Sequence, residues 1–256
     1  MESIKSQGAA ESKIDNQWDI LNSDENNKEF FSEAASAERI DQYLDSISSD
    51  EFMAIIRGYR KHLDDFRQRF SEEQFKDKYD NNPDLLNVYA FSSLMKDYLS
   101  KKLEITGIDL EIRRKDYNNT EGGHINLKEG KVYINFDYHK RGTLGDVTKT
   151  MAHEMWHAKQ ALSSFEYDED GITVAKTPYY DALFKNYQEA DSDGYFDQAV
   201  EREAREFADA FERKTFSDNP SYDSWIQERY GFSSEYYGQL ATNKYFDSLD
   251  DWYDEY

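Results

Sequence analysis

Residues 150–160 read TMAHEMWHAKQ, and the run His153-Glu154-Met155-Trp156-His157 inside them decides how the rest of the chain is read. Residues four apart on an α-helix stand one turn above each other, so His153 and His157 can aim their imidazole nitrogens at one point. Glu154 projects from an adjacent side. Two neutral nitrogen donors with an open position beside them suit a zinc-type cation, and a neighbouring carboxylate can take a proton from water. The alternative is a helix that buries two imidazoles and a carboxylate without a metal, which is costly unless each finds partners. With five histidines in 256 residues, such a run arises by chance in roughly one chain in a hundred, so its surroundings must decide.

The flanks read as a capped helix. Thr143 and Asp146 give a capping signal, and Leu144, Val147, Met151, Met155, Ala158 and Leu162 form an apolar stripe with both histidines on its flank. Upstream, DLEIRR, HINL and KVYINF have the texture of three short strands, the last two joined by a KEG turn. In KVYINF, Val132, Ile134 and Phe136 point to one face and Tyr133 and Asn135 to the other. An extended peptide can pair along that strand.

Two helices precede the strands. Ser48 and Glu51 form a capping box ahead of Phe52, Ile55, Ile56, Tyr59, Leu63, Phe66 and Phe70. His62 sits at the edge of that stripe as a solvated helix residue. Pro83 opens a second helix carrying Leu86, Tyr89, Leu94, Tyr98 and Leu99, and Gly107 closes it or the loop beyond. Downstream come a short helix near YYDALFKNY, a break at EADSDG and a long helix from about Tyr195 to Thr215. The DxDG stretches at Asp168-Asp170-Gly171 and Asp191-Asp193-Gly194 lack the acidic twelfth ligand of an EF-hand and read as turns.

A catalytic zinc needs a third protein ligand, and the chain has no cysteine, so His, Asp or Glu must supply it. His139 and His124 are near in sequence. The segment QAVEREAREFADAF offers Glu201 on a face shared with Arg205, Ala204 and Ala208, where small residues let a second helix pack closely.

Taken together, HEMWHAKQ and VEREAREFADAF resemble the gluzincin type of zinc metallopeptidase. They are especially similar to the ImmA/IrrE-like peptidases, whose second motif has the form Glu-x-x-Ala-Asn-x-Phe-Ala, and also to metallopeptidase domains of bacterial polymorphic toxins and phage proteins. The resemblance covers about residues 108–215. It implies His153, His157 and Glu201 as metal ligands, Zn²⁺ as cofactor, Glu154 as general base and a protein or peptide as substrate. Arg205 stands where the family pattern has Asn, and the spacing from His157 to Glu201 is long, which keeps Glu203 as the next candidate ligand. For the donor that stabilises the transition state, Tyr195 is the first choice, with Tyr179 and Tyr180 behind it.

The expected fold class is α+β: a helix-rich zincin-like domain with a small sheet and an active-site helix carrying His-Glu-x-x-His, preceded by a helical region. By segment, residues 1–34 form a flexible polar leader, 35–107 the helical region, 108–215 the metallopeptidase domain and 216–256 an aromatic acidic tail. The formal net charge of −22 argues against nucleic acid or an anionic membrane as partner. No secretory signal or membrane-spanning run is expected, so the default compartment is the cytoplasm, with export independent of a signal peptide left open. A reading from another class also stands: a non-catalytic acidic interaction protein, an immunity, anti-defence or regulatory factor on a zincin scaffold. In that reading the tail YFDSLDDWYDEY docks a basic partner.

Overall fold

The structure, a computed structural model, describes residues 25–58, 83–113, 122–139, 144–167, 174–185, 187 and 195–219. It is helix-rich with one small mixed sheet, an α+β arrangement. The described residues fall into two compact units, each built from two stretches of chain. One joins the described residues up to 42 to those of 159–206, the other the described residues of 43–158 to those from 207 on. Among the described residues no helix is long and apolar enough to cross a membrane.

In the second unit the helix at 49–58 (α3) opens as the capping box predicts, with the Glu51 N–H donating to Ser48 Oγ at 3.4 Å. Tyr59, His62, Leu63, Phe66 and Phe70 lie outside the described residues. Helix α4 spans Pro83–Leu103. It stops one residue before Glu104, which takes the left-handed conformation at φ 57°, and Gly107 at φ 76° then turns the chain into the first strand. Part of the core of this unit is an aromatic cluster. Phe52 meets Phe216 edge-on at 5.0 Å and Phe211 at 6.5 Å, and Tyr98 closes the cluster at 6.4 Å from both Phe52 and Phe211.

All three expected strands form: β1 (Asp109–Arg113), β2 (Gly123–Asn126) and β3 (Lys131–Asn135). Strand β3 pairs parallel with β1, Leu110 opposite Val132, and antiparallel with β2, Ile125 opposite Val132. The β2–β3 turn is held by Asn126 Oδ1, which accepts from the N–H groups of Lys128 and Glu129. Gly130 ends the turn at φ 61°, and a Cβ there would stand 2.7 Å from the Gly107 carbonyl oxygen. This topology corrects the placing of a substrate along KVYINF. Strand β3 is the central strand, so both its hydrogen-bonding edges are taken and it has none left for an incoming peptide. Both faces of the strand are covered, and only Phe136 departs from the two-face reading. Val132 through Asn135 are all buried, and Phe136 opens a short helix, α5 (Phe136–His139), rather than extending the strand.

Helix α6 spans Leu144–Leu162 and carries the histidine run. Val147, Met151, Met155 and Ala158 are buried as expected. Leu162 is not: at the helix's last residue it is 53% exposed. Burial instead extends around the helix to Ala152, Trp156 and Gln160. Trp156, inside the histidine run, stacks on Phe207 at 4.3 Å and meets Tyr43 edge-on at 5.5 Å.

In the first unit, α1 (Glu25–Phe30) and α2 (Glu33–Leu44) are helical. This unit has a small aromatic core in which Phe30, Phe31 and Tyr179 meet edge-on at 4.8–5.6 Å beside Ala182, Ala199 and Val200. A short hairpin, β4 (Phe165–Tyr167) with β5 (Val174–Lys176), follows α6. Next come α7 (Pro178–Tyr180), a π-helical turn at Asp181–Lys185 and a 3₁₀ turn at Tyr195–Asp197. Helix α8 spans Ala199–Glu212 and passes into a π-helical turn, Arg213–Ser217. Both DxDG stretches and all but the first four residues of the acidic tail lie outside the described residues.

Candidate metal centre

On α6 the two imidazoles converge as their spacing requires. His153 Nε2 and His157 Nε2 stand 3.2 Å apart, with the rings nearly perpendicular at 88°. His157 is 5% exposed and His153 is half-buried. Glu154, between them in sequence, is buried as well.

Helix α8 supplies the carboxylate. Glu201 lies in its first turn and is 1% exposed. Tyr187 donates its hydroxyl to Glu201 Oε1 at 2.7 Å. Burial raises the phenol's pKa, and the Glu201 charge raises it further, so Tyr187 stays protonated as a donor. Tyr195, the expected transition-state donor, has its ring perpendicular to that of Tyr187 at 6.2 Å and its hydroxyl hydrogen-bonded to Tyr187.

His153, His157 and Glu201 each offer one ligand atom, and these atoms all lie within 4.8 Å of one another, so the cluster could hold a metal ion. Among the described residues it is the group given by the structure as capable of this. A tetrahedral zinc with nitrogens at about 2.0–2.1 Å separates its ligand atoms by about 3.3 Å, close to the spacing of the histidine pair. The histidine pair therefore has the spacing of two ligands on one metal ion.

The other sequence candidates are placed elsewhere. Glu203, the fallback ligand, is fully buried in a separate network. It accepts from Arg39 Nε at 2.9 Å and Nη2 at 2.5 Å, from Gln160 Nε2 at 2.9 Å and from the Tyr179 hydroxyl at 2.6 Å. Two residues along a helix turn a side chain by about 200°, which is why Glu201 and Glu203 serve different surroundings. Tyr179 is thereby committed to Glu203, and Tyr180 packs on Phe184 at 5.4 Å.

His139 is fully buried with Nε2 3.1 Å from the Gly122 carbonyl oxygen, and burial lowers its pKa to about 4 despite that bond. His124 stacks on Tyr133 at 4.6 Å, the same ring that carries the Arg113 guanidinium at 3.6 Å. Neither histidine joins the cluster. Tyr187 is the residue that sequence reasoning missed. It is one tyrosine of twenty, the last residue of YYDALFKNY, and nothing in that segment's pattern links it to Glu201.

Compared with known proteins, the chain matches no family model, no curated protein and no solved structure.

Proposed function

We propose that this chain is a zincin-like, zinc-dependent peptidase of the gluzincin type, in which His153, His157 and Glu201 hold Zn²⁺ and Glu154 is the general base. The observation that carries the reading is the convergence of His153 and His157 at 3.2 Å with the Glu201 carboxylate in the same cluster. When bound, zinc supplies Lewis acidity that polarises a peptide carbonyl and acidifies water. Two neutral imidazoles and one carboxylate leave the dication with a net positive charge, which favours a developing oxyanion. Glu154 accepts the water proton on its carboxylate and passes it to the leaving amine nitrogen.

The test begins with zinc content per chain, by elemental mass spectrometry, of the full-length protein and of His153→Ala. The expected result is close to one zinc in the wild type and little in the variant. Glu154→Gln should then keep its zinc and lose hydrolysis of an unfolded protein substrate by about 100-fold or more. A wild type that takes up no zinc even when it is added defeats the proposal. Zinc bound in both proteins with a biological effect untouched by Glu154→Gln would favour the interaction protein suggested by the net charge of −22.

A further inference from the structure

Resting on that reading, we infer that Tyr187 is a positioning residue for the metal ligand Glu201, its hydroxyl fixing the carboxylate through Oε1 so that the group binds zinc in one orientation. The terminal torsion of a glutamate is broad and nearly twofold, so an unheld carboxylate samples many presentations of its two oxygens. Donation from Tyr187 at 2.7 Å selects one of them. With Oε1 engaged by a neutral donor, ligation by a single oxygen is favoured over a chelating mode.

The donor is itself braced. The Tyr187 ring meets Tyr195 at 6.2 Å, and the Tyr195 hydroxyl bonds to that of Tyr187. Tyr195 in turn sits in the 3₁₀ turn just before α8, where its carbonyl oxygen accepts from the side-chain amide of Gln198 at 3.1 Å. Glu201, three residues beyond Gln198, is thus tied to its own donor through the turn that begins its helix. Tyr187 is 38% exposed, so its ring contributes only part of a buried side chain's packing while its hydroxyl reaches a buried carboxylate. This geometry also commits Tyr187 to the ligand rather than to the reacting carbonyl.

The experiment compares full-length wild type, Tyr187→Phe, Tyr195→Phe and Glu201→Ala. Zinc affinity is measured by competition with a chelating dye, and the visible absorption of the cobalt-loaded proteins reports ligand geometry. Tyr187→Phe should bind zinc about 10- to 100-fold more weakly, the loss expected for an outer partner of a metal ligand. Its cobalt bands should shift while its far-UV circular dichroism stays that of the wild type. Tyr195→Phe, one bond further out, should lose less. Wild-type affinity and an unchanged cobalt spectrum in Tyr187→Phe would overturn the inference while leaving the metal site standing, as would a larger loss in Tyr195→Phe. A wild type that binds no zinc, or a Glu201→Ala that binds as well as the wild type, would overturn the metal ligand set and this inference together.

Discussion

Lowering the pH should destabilise the fold through His139, a residue outside the metal cluster. This side chain is fully buried at the end of α5, and Nε2 lies 3.1 Å from the Gly122 carbonyl oxygen, so the ring is neutral with its proton on Nε2. Nδ1 has no hydrogen-bond partner among the described residues. Burial holds the folded pKa at about 4, with the Gly122 carbonyl and the more distant Asp146 opposing it only in part. In the unfolded chain the group titrates near 6.5. At pH 5 the unfolded state therefore binds more protons than the folded state, and stability falls as pH falls from about 6.5 towards 4. The difference is worth about 2 kcal/mol at pH 5 and about 3 kcal/mol at pH 4. Urea unfolding at pH 7.5, 6, 5 and 4, with a chelator present to remove metal linkage, should show this loss in the wild type. His139→Phe keeps an aromatic ring but cannot titrate, so its curve should start lower and fall less steeply by that amount. Parallel pH dependences in the two proteins would refute the reasoning.

Glu201 and Glu203, two residues apart, should respond in opposite ways. Glu203→Gln breaks the charged pairing with Arg39 and should cost about 3 kcal/mol by chemical denaturation, with zinc affinity in the folded protein preserved. Glu201→Ala should lower zinc affinity by about 100-fold or more; equal zinc affinities in the two variants would discard this ligand assignment. Trp156→Ala should destabilise the protein by about 3–5 kcal/mol, because it removes the stack on Phe207 and the contact with Tyr43. A cost under about 1 kcal/mol, as for a surface residue, would contradict that packing.

Much of the local structure was legible in the sequence because local rules govern it. The Ser48–Glu51 cap, the four-residue histidine spacing and the Asn126 to Gly130 turn each depend on neighbours within a few residues, and all three appear in the structure, while Thr143 of the second capping signal lies outside the described residues. What failed depended on the rest of the fold. The KVYINF segment has the composition of a strand, but composition is silent on whether a strand is central or at an edge, and pairing with both β1 and β2 removed its free edge. Leu162 fits its helical stripe by period, yet the helix ends there and leaves it in solvent.

The candidate site divides along the same line. His153 and His157 could be paired from the sequence because one helical turn brings them together without help from any other element. Glu201 needed a second helix, and its separation from Glu203 became clear only when Arg39, Gln160 and Tyr179 were found around the latter. Tyr187 carries no local signature at all. Its hydroxyl reaches Glu201 across fourteen residues of chain, a distance over which periodicity and capping have lost their hold, so only tertiary packing could choose it from among twenty tyrosines.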